Sequence, residues 1–375
     1  MAGLYIHVPF CVKRCVYCDF YSVTRTEQKD IYVRAMLREM ETRHDDWQEE
    51  EFTTIYFGGG TPSLLQPQEL ERLLDAIYRY FPVSAHPEIT LEANPDDLSG
   101  SYLSSLATLS VNRLSIGVQS FDDQELRLLN RRHTAKEAIG AVKRCKEAGF
   151  SNISVDLIFG LPEQTSEAWV RSIDKAIALD ISHLSAYNLT YEEGTPIYQM
   201  MQNKAIRPVD DDSCAQFYEM LSEKLTDAGF VHYEISNFAR CSAHYPAGCI
   251  SLHNSSYWNG THYLGLGPSA HSYNGTSRSW NVASLSKYIN TPIIESELLD
   301  ERTRYNDFVM TRLRTMWGVS LEELREEFGK AWENYFLEKS QYNISINKLK
   351  KIDGNVKVSH KDFFVSDAII RELIV

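Results

Sequence analysis

No stretch of this 375-residue chain reaches about eighteen consecutive apolar residues, the length a helix needs to cross a bilayer. The opening segment, Met1 to Phe20, lacks a basic patch followed by an apolar run and a small-residue cleavage site. Neither secretion nor stable membrane insertion is expected, and a cytoplasmic location is. Basic residues are few: 38 Lys and Arg stand against 51 Asp and Glu, a formal net charge of -13. Nucleic acid and anionic membrane surfaces demand clustered cations, so neither suits this chain as a partner. Cysteine is sparse and odd in number, seven in all. That argues against a disulfide framework and for reduced thiols that react or bind metal. Internal repeats and low-complexity tracts are also missing, which excludes solenoid architectures.

What is present suffices for a large core. Hydrophobic residues make up 43% of the chain, which at this length suits one big domain with a smaller one attached. Short apolar runs alternate with longer amphipathic ones. The pattern predicts strands at 4–8, 54–57, 88–92, 113–118, 153–158 and 183–187, with helices at 31–43, 67–80, 101–109, 135–148 and 167–179. Six β-α units in succession imply a parallel sheet and an α/β fold, a partial (β/α)6 TIM-like barrel over residues 1–205. Residues 206–295 read as an extension of the barrel: a helix at 210–229, a strand at 232–235, then a stretch at 237–273 rich in Gly, Ser, Asn and aromatics. That stretch predicts long loops, which usually carry function.

From 296 to 375 the rhythm changes. Helices are predicted at 303–315 and 319–328, the second opened by Ser320 with Glu323 in a capping-box pattern, and a hairpin at 356–365. The result is a C-terminal winged-helix-like module. Residues 300–375 hold thirteen basic and thirteen acidic side chains, and the second helix bears Glu322, Glu323, Glu326 and Glu327. A DNA-reading helix should be basic, so the module reads as a lid or packing unit.

Three cysteines lie within one short run, Cys11-Val-Lys-Arg-Cys15-Val-Tyr-Cys18. Thiolates so close can wrap one compact metal centre, and thiolate ligation suits iron-sulfur clusters or zinc. Structural zinc is closed by four ligands and would need one from elsewhere, whereas a 4Fe-4S cubane on three cysteines leaves one iron open. Spacing favours the cluster, with zinc or unrelated thiols as the alternatives. The predicted strand at 54–57 runs into Gly58-Gly59-Gly60-Thr61-Pro62, where bare backbone lets a ligand come close. Glu92, Gln119, Arg131 and Asp156 fall at or near successive strand ends, on the barrel face where ligands sit. Packing explains such a polar set poorly.

These residues carry a resemblance. Tyr5-Ile-His7-Val-Pro9-Phe10-Cys11 with the cysteine triplet, Gly58 to Pro62, Leu91-Glu92-Ala93-Asn94-Pro95, Gly117-Val-Gln119-Ser120-Phe121 and Asp156-Leu-Ile-Phe-Gly160-Leu-Pro162 resemble the coproporphyrinogen-dehydrogenase (HemN) family of radical S-adenosylmethionine (SAM) proteins. The likeness covers almost the whole chain, tail included. It implies that Cys11, Cys15 and Cys18 hold a 4Fe-4S cluster whose open iron takes the amino and carboxylate groups of SAM. It implies further that Tyr5 and Tyr17 flank the cluster and SAM, and that Gly59, Gly60 and Thr61 meet the methionine end. Glu92, Gln119, Arg131 and Asp156 are implied as additional SAM contacts. In such proteins a reduced cluster passes an electron to the sulfonium, while the protein positions, tunes and shields.

Two departures from the dehydrogenase pattern bear on function. The dehydrogenases carry a fourth cysteine two residues after the triplet, where this chain has Phe20. The run His253-Asn254-Ser255-Ser256-Tyr257-Trp258 is similar to the signature of a heme-chaperone branch. That likeness implies that His253, Asn254, Tyr257 and Trp258 bind heme as cargo for heme-acceptor proteins. Read from the residues alone, one histidine beside aromatics is more often packed than ligating, although imidazole can serve as an axial ligand and Tyr257 and Trp258 offer flat faces to a porphyrin. Cys241, His244, Cys249 and His253 could also form a tetrahedral zinc quartet. Cys145 and Cys214 read as core filling, and Gly265 to His271 as a tight turn or a SAM or substrate contact.

The expectation is therefore a heme chaperone on a radical SAM scaffold, with the 4Fe-4S cluster, SAM and heme bound. The alternative is an oxygen-independent coproporphyrinogen III oxidase, in which a 5'-deoxyadenosyl radical drives oxidative decarboxylation. An RNA-modifying enzyme is a distant third, since the basic groove it needs is missing. Catalytic residues are not assigned, and whether the chain is an enzyme stays open at this point.

Overall fold

The computed structural model describes residues 1–240 and 250–375. Side chains alternate along the first six strands, and that alternation builds the barrel. The strands are β1 (Ala2–Val8), β2 (Phe52–Gly59), β3 (Val83–Ala93), β4 (Arg113–Gln119), β5 (Asn152–Phe159) and β6 (His183–Asn188). One set of positions is apolar and fully buried, among them Leu4, Ile55, Leu91, Leu114, Val155 and Leu184. It packs beneath α1 (Lys29–Arg43), α2 (Pro67–Tyr80), α3 (Gly100–Leu106), α4 (Asp123–Leu128), α5 (Ala135–Glu147) and α6 (Ser166–Ala178). The alternate set is polar, with Thr54, Glu88, Arg113, Ser154, Asp156 and His183 turned to the inside. All six strands pair in parallel and in chain order. The α/β class and the six predicted β-α units are found.

The ladder continues at both ends. After α7 (Pro196–Gln202) and α8 (Asp211–Asp227), β7 (Phe230–Glu234) and β8 (Asn237–Arg240) form an antiparallel pair, and β8 joins β6. On the other side β9 (His262–Leu266) lies parallel to β1, followed by antiparallel β10 (His271–Tyr273), β11 (Ser277–Asn281) and β12 (Ile294–Leu298). The two ends of this sheet do not pair with each other among the described residues. The barrel is thus open, a partial one. No helix among the described residues is long and apolar enough to cross a membrane.

Two expectations need correction, and a third falls mostly outside the described residues. Residues 237–273 are not simply long loops, for they hold β8, α9 (Leu252–Trp258), β9 and β10. The glycines there serve close strand approach: a Cβ at Gly265 would stand 2.1 Å from the His271 carbonyl oxygen. The boundary expected between 295 and 296 falls inside β12, which runs to Leu298. Of the zinc quartet, Cys241, His244 and Cys249 lie outside the described residues. Cys145 and Cys214 are buried in α5 and α8, as core-filling thiols should be.

The tail also differs in detail. After α10 (Leu285–Asn290) and α11 (Glu301–Leu313), Val319–Ser320 is a short strand, β13, and α12 runs over Leu321–Ser345. Ser320 caps α12, its hydroxyl accepting from the Glu323 amide at 3.3 Å. The hairpin is β14 (Leu349–Ile352) with β15 (Asn355–Val358), upstream of the predicted position. Its two-residue turn is Asp353-Gly354, both at positive φ, the geometry that matches hairpin twist. His360–Val365 is instead a 3-10 helix, and α13 (Ser366–Arg371) follows. Within α12, Gly329 sits at φ 83°, ψ 173° with nothing near its missing Cβ. Only glycine adopts that conformation readily. Gly329→Ala is expected to destabilise the module by about 1–3 kcal/mol from backbone strain alone. Equilibrium denaturation beside Gly100→Ala, which also meets no neighbour and should be near neutral, checks this.

Candidate functional site

The loop after β1 carries Cys11, Cys15 and Cys18 to the mouth of a cavity of about 410 Å³. Its walls come from the C-terminal halves of β2 to β6 and the loop that follows β1. Tyr17, Gly59, Gly60, Thr61, Glu92, Gln119, Arg131 and Asp156 line it, as does Asn254 from α9. One expected member is elsewhere. Tyr5 does not line this cavity: its hydroxyl bonds His7 Nδ1 at 3.1 Å and its ring stacks on Tyr56 at 6.1 Å. Tyr5, level with Tyr56 in the β1–β2 register, therefore lies behind the wall that Tyr56 forms.

Backbone devices shape the wall. Gly59 has φ +106°, and a Cβ there would stand 2.6 Å from the His7 ring, so no other residue fits. Gln119 holds φ +68° without being glycine, at a register shift where Gly117 pairs Asp156 and Gln119 pairs Leu157. Strain of this kind clusters at ligand sites, and here it turns the Gln119 side chain to the cavity.

Hydrogen bonds then fix the polar groups. Arg131 donates to Cys15 Sγ at 3.2 Å, to Asn94 Oδ1 at 2.5 Å and to the Gly117 carbonyl. Thr61 Oγ1 points to Cys11 Sγ at 3.5 Å. Glu92 accepts from the Tyr56 hydroxyl at 2.8 Å and the Gly59 amide at 3.1 Å. Burial pushes the Glu92 carboxyl up to about 7, with the nearby Asp156 charge adding to the effect. Asp156, itself raised by burial, accepts from Ser115 at 3.0 Å. Sequence reasoning missed Tyr56, Asn94 and Ser115. Asn94 stood within a recognised motif, whereas Tyr56 and Ser115 follow only from their place on the polar face of β2 and β4.

The sulfur set fits an iron-sulfur cluster. All three cysteines line one cavity, and a cubane held by three thiolates keeps one iron open to a further ligand. Burial pushes the Cys18 thiol up to about 11 and raises Cys11 as well, so a cation is needed to hold them as thiolates at neutral pH.

Beneath the cavity, α9 enters the barrel. Glu88 accepts from the Leu252 and His253 amides at 3.1 and 3.0 Å, and Ser251 caps the same turn. His253 is 1% exposed. Its Nδ1 lies 2.8 Å from Thr54 Oγ1 and its Nε2 lies 2.9 Å from the Tyr257 hydroxyl. Burial, helped by the Arg113 guanidinium, lowers its pKa to about 3, so the ring is neutral and both nitrogens are engaged. The structure does not gather the four-residue signature at one spot. Asn254 faces the first cavity, His253 is interior, and Tyr257 and Trp258 border a second cavity of about 400 Å³ against α11.

Comparison with known proteins agrees with this architecture. Residues 5–176 match the radical SAM superfamily and residues 299–365 the HemN C-terminal domain. The chain is 37% identical to the heme chaperone HemW of Bacillus subtilis over 90% of this chain and 89% of that one. It is 33% identical to HemW of Lactococcus lactis over 99% and 96%. The mouse mitochondrial radical S-adenosyl methionine domain-containing protein 1 is 39% identical over 72% of this chain and 60% of its own. Among solved structures, the Escherichia coli coproporphyrinogen III oxidase HemN superposes with a TM-score of 0.83 at 22% identity, covering 100% of this chain and 90% of that one, a likeness of fold. With barrel, cysteine loop, C-terminal module and these relatives in agreement, the chain belongs to the HemW family of radical SAM proteins.

Proposed function

We propose that the chain is a cytoplasmic heme chaperone: it binds heme and hands it to heme-acceptor proteins, on a scaffold that carries a 4Fe-4S cluster and SAM. One observation carries the reading. The short helix α9 faces the cysteine-lined cavity with Asn254 and a second, aromatic cavity with Tyr257 and Trp258. Relatives over most of the chain bear the name heme chaperone.

In this reading Cys11, Cys15 and Cys18 hold the cluster. SAM bound beside it supplies a cleavable sulfonium when the cluster is reduced. Tyr17, Gly59, Gly60, Thr61, Gln119, Arg131 and Asp156 shape and orient the SAM site, with Tyr5 as backing. The Arg131 guanidinium is poised for a carboxylate. Glu92 is suited to an ammonium group, because ionising a buried carboxylate becomes favourable once a cation pairs with it. Residues 1–205 act as the SAM-binding barrel, 206–295 as the extension with the cargo helix, and 296–375 as the C-terminal module.

Phe20, 62% exposed at the cavity mouth, stands where the dehydrogenases have cysteine and supports the chaperone over the oxidase. Two outcomes are expected. Heme titration of the cluster-loaded protein saturates near one heme per chain, and Tyr257→Ala or Trp258→Ala weakens binding about tenfold, as loss of an aromatic face should. Coproporphyrinogen III supplied with SAM and reductant is not decarboxylated, and turnover there would replace this reading with the oxidase. SAM affinity measured from about pH 6 to 8 should rise as Glu92 loses its proton near 7, and Glu92→Gln should weaken binding and flatten that rise.

A further inference from the structure

We propose that β12 is a docking edge for an extended segment of a partner protein, one that alternates basic and uncharged side chains and joins the sheet as a further antiparallel strand. The proposal goes beyond the cargo reading and does not depend on it.

The large sheet ends in two strands of unlike character. At one end β7 is closed: Thr315 bridges Glu234, the Ile235 amide donates to the Arg314 carbonyl at 3.0 Å, and the Met316 amide donates to the Tyr233 carbonyl at 2.9 Å. At the other end β12 pairs only with β11 among the described residues, and all of its residues are exposed. Backbone parity identifies the free groups. The Val282 amide donates to the Ile293 carbonyl and the Leu299 amide to the Thr276 carbonyl, both at 2.9 Å. Residues 293, 295, 297 and 299 therefore turn their backbone groups to β11, while the N–H and C=O groups of Ile294, Ser296 and Leu298 point away from it. An edge with its ladder groups unused is a template for one more strand.

Side chains select the strand that fits. Glu295 and Glu297 share one face, where Glu295 accepts from Trp280 Nε1 at 2.9 Å and Glu297 lies 3.7 Å from Arg278. The second oxygen of each has no partner among the described residues. Ile294, Ser296 and Leu298 lie on the opposite face, with Leu298 88% exposed. A second copy of this chain is a poor occupant. Outward residues must meet outward residues, so a two-fold antiparallel pairing centred on Glu295, Ser296 or Glu297 sets glutamate against glutamate, and like charges directly opposite destabilise a sheet. A foreign strand with Lys or Arg at two alternate positions meets both carboxylates, and apolar residues flanking that pair cover Ile294 and Leu298. The same two glutamates thus reject one partner and admit another. A seated partner has only β12 between it and the strand that brings Arg278 to the second cavity.

The test uses the full, cluster-loaded chain and a dye-labelled short peptide alternating valine and lysine, read by fluorescence anisotropy at about 0.15 M salt. Saturable binding is expected. Ser296→Pro removes an N–H that β11 does not use, so it should weaken binding about tenfold or more and leave the melting temperature unchanged. The same peptide N-methylated on alternate residues keeps its charge and should not bind the wild-type chain, a control independent of any folding defect. Glu295→Lys combined with Glu297→Lys should turn the preference to a peptide alternating valine and glutamate. Absence of saturable binding overturns the docking edge, and so does binding that neither Ser296→Pro nor N-methylation weakens, which is bulk attraction to an acidic chain. Dimerisation of the wild type that Ser296→Pro abolishes overturns the choice of partner in favour of a second copy. No heme enters the assay, so its outcome is separate from that of the heme titration.

Discussion

A neutral imidazole held at both nitrogens fixes the helix on which the two cavities meet. Thr54 comes from β2 and Tyr257 from the far end of α9 itself, so the ring ties a seven-residue helix to the barrel wall. Such a helix is too short to be stable alone and owes its place to tertiary contacts. Glu88 satisfies its first amides, and Gly3 leaves room for the ring, since a Cβ there would lie 3.3 Å from it. Charging the imidazole inside the barrel would set it against Arg113, which is 1% exposed. Burial and that guanidinium keep it neutral.

The polar lumen sets the terms for the rest. Period-two strands covered outside by helices can afford polar groups inside only if these find partners. Low in the barrel, Ser154 lies 2.7 Å from His183 Nδ1, and Tyr233 lies 2.8 Å from the other nitrogen. Higher up, burial holds the Glu92 and Asp156 carboxyls above their ordinary pKa values. Both carboxylates accept hydrogen bonds, Glu92 from Tyr56 and Gly59 and Asp156 from Ser115, so both levels of the lumen carry polar groups with partners.

Much of this was legible in the chain. Apolar alternation gave the six parallel strands, and the helix over 67–80 agrees with α2 (Pro67–Tyr80), where a proline starts it and periodicity carries it. The cysteine loop, the glycine run and the strand-end polar residues converge as their spacing implied. Other features depend on neighbours distant in sequence. β9 hides behind Gly265 because that glycine answers to the His271 backbone, a contact no local pattern encodes. The hairpin turns at Asp353-Gly354, upstream of the predicted 356–365 segment. His262 meets Glu50 from 212 residues away, and His253 meets Thr54 from 199 residues away, pairings no local pattern encodes.

The strand order has a consequence for synthesis. β1 holds the cysteine loop at its end, yet one of its two edges is covered by β9, which is made long after β1 itself. Until His262–Leu266 leaves the ribosome, that edge stays unpaired, and an unpaired apolar strand is a template for misassociation. The pairing of the first strand with the ninth thus makes late-folding sequence the guardian of early-made sequence. The cysteine loop is translated long before the strand that closes the edge of its sheet.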